Sequence, residues 1–397
     1  MERTTAKKNK YEIDMCNGTI MDKLISFSLP LMLSGILQLM FNAVDIIVVG
    51  RFSGSQALAA VGSTSALINV FTNLFIGISL GANVLTARFY AAGREKEVSE
   101  TVHTAITLAL VSGIIMALVG LVFSRGALAL MGTPDDVIGL SALYMRIYFL
   151  GMPFFMLYNY GAAILRAVGD TKRPLLFLMI AGVINACLNM VLVIVFKLGV
   201  AGVAIATVIS QMISCVLVLR CLCRSESSYR LRFSELGMKG YYLKQIFSVG
   251  VPAGIQSTVI NFSNVLLQSS VNSFGSTAMA GYTAANNLLG FLYVSVNSIT
   301  QACMSFTSQN YGVGKLKRMD RVLADCMILS VVVAVVLGCI CYGFGPEILQ
   351  IYTEDAEVIA CGMEILAYTT ITYFLCGWMD LFPGALRGMG YSAVPMV

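Results

Sequence analysis

The chain has 397 residues, 57% hydrophobic and 12% charged, with a formal net charge of +5 and a mean hydropathy of +0.81. Soluble domains carry about 25% charged residues, so this composition excludes a soluble fold. The charges also cluster: no Asp, Glu, Lys, Arg or His occurs in 52–87, 104–124, 174–196 or 246–314.

The first 23 residues, MERTTAKKNKYEIDMCNGTIMDK, are polar and mixed in charge. No apolar core with a small-residue cleavage site precedes the first span, so residues 1–23 are expected to be a cytoplasmic tail and the first helix to stay in the membrane. A spanning helix needs about 20 apolar residues. Apolar runs set against turn signals predict ten spans: 24–50, 56–85, 101–124, 137–162, 174–196, 199–222, 246–273, 277–308, 324–345 and 358–383. The expected fold is an all-α polytopic membrane protein.

The basic residues orient these spans. Twenty-two of the 26 fall on the side of the amino terminus, in the clusters at 3–23, 88–96, 166–173, 220–244, 315–321 and at Arg387. Only Arg51, Arg125, Arg146 and Lys197 fall opposite, where Asp135, Asp136, Glu347, Glu354, Asp355 and Glu357 collect. The positive-inside rule then puts the amino terminus and the Arg387 end in the cytoplasm of a cell-membrane protein.

An internal repeat spans about 221 residues. "FSLPLMLSGILQLMFN" matches "VGVPAGIQSTVINFSN", aligning Pro30 with Pro252 and Asn42 with Asn264. "RFYAAGREK" matches "QNYGVGKLK", and "ILRAVGDTKRP" matches "ALRGMGYSAVP". Six spans separate the repeat starts, so the halves are parallel and related by an axis along the membrane normal. The expected domains are a six-helix lobe at 24–223, a cytoplasmic linker at 224–244 and a second lobe at 245–397. That second lobe holds four of an expected six helices, so the natural chain is expected to continue for about 50 residues.

Polar residues inside the spans are the candidate working parts. Gln38, Asn42 and Asp45 lie at spacings of four and three, on one helix face. A charge near the bilayer centre costs roughly 3 kcal/mol, and low-dielectric surroundings favour a carboxylate's protonated form. Pro30, about four turns earlier, removes a backbone hydrogen bond and permits a hinge. The plainer alternative is a helix-end aspartate paired with Arg51 or a neighbouring amide. Asn185 and Asn189 share a face of the fifth span, as Ser257, Asn261, Asn264 and Gln268 do on the seventh. Asparagines also bond across helices for about 1 kcal/mol or less. Asp380 is the one acid well inside the second half, with interfacial solvation or pairing with Arg387 as its alternative. Arg166 and Arg387 close helices, where carbonyl capping and lipid-phosphate contact account for them. The eleven cysteines have no metal-ligand spacing and read as packing residues, and His103 as structural.

The chain resembles the multidrug and toxic compound extrusion (MATE) family. The resemblance rests on Pro30 with "NAVDIIVVGRFSGSQALAAVG", on "LRAVGDTKRP", on "INACLN" before "LGVAGVAIATVISQ", and on "SQNYGVGK" and "LRGMGYSAVP", in family order. It implies two six-helix lobes forming a V and export of amphipathic or cationic compounds in antiport with H⁺ or Na⁺. It also implies that Asp45, with Asn185 and Asn189, serves cation coupling, and that Gln38, Asn42, Asn261, Asn264, Gln268 and Asp380 are cavity candidates. The chain departs from the family pattern at Asn189, commonly an aspartate in the proton-coupled branch. It departs again on the seventh span, where the Na⁺-linked branch has a glutamate. No tightly bound cofactor or metal, no nucleic-acid partner and a monomeric state are expected. The alternative is a flippase of lipid-linked sugars, which needs arginines in its cavity. An intramembrane enzyme needs clustered acids for Mg²⁺ or a nucleophile–base pair, and no span offers either, so no enzyme is expected.

Overall fold

The computed structural model describes residues 10–272, 274–350 and 355–396, without the side chains at 55, 63, 66, 70, 265, 268, 269, 272, 276 and 371. The described residues form helices joined by turns and irregular segments, with no strand among them. The first half holds α1 (Met21–Phe52), α2 (Ser55–Ala91), α3 (Glu95–Leu130), α4 (Asp135–Leu150), α5 (Met152–Ala167), α6 (Lys172–Asn189) and α7 (Gly199–Cys223). A six-residue π-helical stretch, Met190–Val195, extends α6. The second half holds α8 (Gly240–Asn272), α9 (Ser276–Gly312), α10 (Leu316–Gly343), the short α11 (Gly345–Leu349) and α12 (Ala356–Met389).

The fourth predicted span is two helices, α4 and α5, meeting at 47°. Gly151 and Pro153 sit at the break, and a proline there removes a helical hydrogen bond. Its counterpart α12 bends by 52° between Thr370 and Thr372. Several helices overshoot the predicted spans because their charged first turns remain helical, as at Glu95 in α3 and Lys317 in α10. The helix α8 begins at Gly240, inside the segment 224–244 expected as the linker. Six described helices are long and apolar enough to cross a membrane, or eight with each bent pair taken as one span. The helices α8 and α9 are not among them, because Ser, Thr, Asn and Gln dilute their apolar residues.

The repeat is visible in both backbone and packing. Glycines with positive φ recur 221 residues apart, as Gly54 (86°) with Gly275 (97°), Gly93 (70°) with Gly314 (72°), and Gly169 (96°) with Gly390 (92°). Each pair turns the chain at an equivalent helix boundary, in a conformation that side chains resist. The helix α2 packs on α3, α4 and α5, as α9 packs on α10 and α12. Across the middle, α1 packs on α9 as α8 packs on α2.

The first helix of each half is shared between lobes. Leu24, Phe27 and Leu31 of α1 lie in one buried cluster with Ile299, Phe306, Val322 and Leu381 of the second half. Val48 and Val49, at the other end of α1, lie in the core of the first half. Reciprocally, Tyr242 and Ile246 of α8 lie in the first half's core. Pro30 lies within the part of α1 packed on the second half, between Phe27 and Leu31, and α1 runs as one helix through it.

Candidate functional site

Asp45 sits in the last third of α1, where α1 lies against α6 and α7. Asn189 Nδ2 donates to Asp45 Oδ1 and lies 3.1 Å from Asn185 Oδ1. Asn185 Nδ2 in turn lies 3.4 Å from Thr207 Oγ1 on α7, whose own proton goes to the Val203 carbonyl at 3.0 Å. Both asparagines are buried. Four residues make one turn of α6, so both amides point the same way.

Tyr144 and Tyr148 of α4, ring-stacked at 6.2 Å, lie close enough to feel the Asp45 charge. Gln211 lies one turn beyond Thr207, beside Tyr148. Asn189 Oδ1 and Gln211 Oε1 are buried without a hydrogen-bond donor among the described residues. Such oxygens are expensive to leave unpaired, and they are the ligands a hard cation takes up. Thr207, Gln211, Tyr144 and Tyr148 do not figure among the sequence candidates. Their common signal is spacing, since each is a polar pair four residues apart in an apolar run. The π-helical stretch follows Asn189 directly, and such stretches recur at functional sites.

The other candidates are less gathered. Gln38 and Asn42 share Asp45's helix but are exposed, with no hydrogen bond among the described residues. On α8, Asn261 is half-buried and Asn264 exposed, while the side chain of Gln268 lies outside the described residues. Asp380 is half-buried on α12 beside Tyr293 of α9 and feels the charge of Arg387 two turns on. Arg387 Nη2 is instead given to Gln256 Oε1 of α8. Arg51 is exposed and makes no ion pair with Asp45 among the described residues.

At the basic ends of the helices the two lobes are sewn together. Arg88 of α2 donates to the Met389 carbonyl of α12 at 2.7 Å and lies over the Tyr311 ring. Gln309, at the equivalent place on α9, donates to the Ala167 carbonyl of α5 at 2.7 Å. Ser308 adds a bond to the Val84 carbonyl at 2.6 Å. The amino-terminal segment lies across this seam. Glu12 accepts from Tyr90 of α2 and from Tyr229, which follows α7 and packs in the first half's core, at 2.8 and 2.7 Å. Three residues on, the Met15 carbonyl accepts from Asn310 and Arg318 of the second half. The basic side is thus closed, whereas Gln38 and Asn42 near the other end lie open.

The MatE family model matches residues 30–191 and again residues 252–397. It begins each time at the proline that the internal repeat aligns. The chain belongs to the MatE family. It is 33% identical to the probable multidrug resistance protein YoeA of Bacillus subtilis (strain 168), over 94% of this chain and 82% of that protein. It is 23% identical to the multidrug export protein MepA of Staphylococcus aureus (strain NCTC 8325 / PS 47), over 92% of this chain and 81% of that protein. A solved structure described as the outward-facing conformation of a multidrug resistance MATE family transporter of the MOP superfamily matches with a TM-score of 0.92. The match covers 98% of this chain and 87% of that one at 20% identity. This MatE chain is therefore a multi-pass membrane transporter with the MATE fold. Within it, the Asp45 cluster is built wholly from the first half.

Proposed function

We propose that this MatE chain exports amphipathic or cationic small molecules in antiport with H⁺ or Na⁺, and that the ion is exchanged at Asp45. The observation that carries this reading is the bonded chain of Asp45, Asn189, Asn185 and Thr207, flanked by the orphan oxygens of Asn189 and Gln211. An intramembrane carboxylate is tolerable when protonated, ion-bound or hydrogen-bonded. The amides offer donors to the charged form, and the free oxygens offer ligands to a cation. Names borne by the relatives, YoeA and MepA among them, support drug-like substrates.

Coupling follows from the placement of α1. Its first half is packed in the second lobe's core and its last third in the first lobe's. Relative motion of the lobes must bend or shift α1 between Leu31 and Val48, and Pro30 lies just before that stretch. Ion exchange at Asp45 changes how firmly the end of α1 is held to α6 and α7, and so biases that motion. Opening the basic side then requires breaking the Arg88 and Gln309 bonds and moving the amino-terminal segment.

The flippase alternative is disfavoured by where the arginines go. Arg88 Nη2 bonds a carbonyl at the basic end and Arg387 Nη2 bonds Gln256, so both guanidinium groups are turned toward protein partners, with the Nε of each buried and unpaired among the described residues. The test is dye efflux from cells carrying the full-length gene, under separate proton and sodium gradients. Asp45→Asn is expected to abolish efflux under whichever gradient drives the parent, with expression and substrate binding retained. Full transport by Asp45→Asn under both gradients would make the carboxylate structural.

A further inference from the structure

A cavity of about 800 Å³ opens on the basic face between the start of α6 and the end of α7, apart from the Asp45 site. Its mouth carries Arg173, Arg220, Arg224 and Lys10, with Glu226 as the one acid in the lining. Arg173 is held by Asp170 on one edge and lies over the Tyr11 ring. Arg220 and Arg224 are exposed, and their side chains have no ion pair or hydrogen bond among the described residues. The hydroxyl residues Ser225 and Ser227 complete the polar rim.

One turn deeper on each helix the lining turns apolar, with Phe177 four residues after Arg173 and Leu217 three residues before Arg220. A helical turn is about 5.4 Å, so each helix offers cations at the mouth and hydrocarbon just inside. Basic residues in the last turn of α7 also complement that helix's negative end. This accounts for their charge, but not for a cavity shared with the cationic start of α6.

We infer that this cavity binds the phosphate headgroup of an anionic glycerophospholipid, with its acyl chain against Phe177 and Leu217. Phosphate is the shared chemistry of a lipid headgroup and a soluble phosphate ester. The apolar wall favours the lipid. Basic pockets between membrane helices are a recurrent form of lipid recognition. The site borders Lys10 and Tyr11, so an occupant would also touch the segment that crosses the seam between lobes.

The test is native mass spectrometry of the purified full chain with phosphatidylglycerol, phosphatidylcholine or sn-glycerol 3-phosphate. The parent is expected to retain phosphatidylglycerol in preference to phosphatidylcholine, with no competition from glycerol phosphate at matched concentration. Arg220→Gln with Arg224→Gln is expected to weaken phosphatidylglycerol binding about 30-fold, from roughly fivefold per cation near a membrane surface. The charge-matched control Lys239→Gln with Lys244→Gln, on exposed residues outside the cavity, is expected to bind like the parent. Equal binding by the arginine variant, an equal loss in the lysine control, or no preference over phosphatidylcholine would overturn the proposal. Competition by glycerol phosphate would also overturn the lipid assignment, and would give the cavity to soluble phosphate esters.

Discussion

The helices α1 and α8 open the two repeats and occupy equivalent places, yet they are held differently. Against α2, α8 presents Gly250 and Gly254, four residues apart, and α2 answers with Gly77 and Gly81. A Cβ at Gly77 would overlap the Gly254 backbone, and one at Gly250 would overlap the Ile78 backbone. Small residues at this spacing let membrane helices pack backbone to backbone. At the equivalent seam between α1 and α9, the repeat puts Ser28, Met32, Ser298 and Ala302 where these four glycines stand. There the close approach is Gly35 against the Val294 side chain. Asp45 is on the looser helix, and its repeat counterpart on the welded one is Leu267. On the proposed mechanism, this difference makes α8 part of the frame and α1 the part that moves.

The largest effect is expected from breaking the weld. Gly77→Leu should prevent α8 from docking on α2 and remove folded protein from the membrane, read as loss of monodisperse material in detergent. Gly77→Ala should cost about 1–3 kcal/mol, as overpacking does, and no side-chain truncation on α8 should restore it, because the obstruction is backbone. A thermal unfolding midpoint equal to the parent's in Gly77→Ala would show that the seam has slack.

Next in size is a swap that tests whether position or helix matters. Asp45→Leu with Leu267→Asp keeps composition and moves the acid to the equivalent turn of α8. Efflux is expected to stay as low as in Asp45→Leu alone, since the Asn189, Asn185 and Thr207 partners remain on the first half. Restored efflux would mean that either lobe can host the coupling acid. A smaller change is expected from Asn189→Asp. It replaces the amide donor to Asp45 with a second carboxylate, and two carboxylates in contact cannot both stay charged. One proton is then retained, and proton-driven efflux should extend to more alkaline pH than in the parent. An unchanged pH profile would leave Asn189 a packing amide.

Much of this frame is legible in the sequence because it rests on periodicity. The repeat shows in Pro30 and Pro252 and in the glycine turns, and the polar face of α6 in the spacing of Asn185 and Asn189. Thr207, Tyr144 and Tyr148 are hidden because a neutral polar pair one turn apart in a helix looks the same whether it faces a partner or lipid. The exchange of α1 and α8 between lobes is hidden for a related reason. Leu24 and Phe27 make an apolar stripe, and a stripe does not say which core receives it. The seam bonds of Arg88 and Gln309 are masked by the basic clusters around them, which topology alone explains.

The smallest effect is expected at the loose seam, and it completes the comparison. A Cβ on Gly35 would collide with one methyl of Val294. That methyl can be removed, unlike the backbone facing Gly77. Gly35→Ala alone should therefore cost on the order of 1 kcal/mol in thermal stability. Adding Val294→Ala should recover most of it, giving a favourable coupling between the two sites. The same pair should leave Asp45's bonds untouched, because Gly35 lies nearly three turns from Asp45 along α1. If the double variant is no more stable than Gly35→Ala, the α1 seam is set by backbone after all. It would then be as rigid as its counterpart at α8, and the difference in mobility drawn between the two helices would be lost.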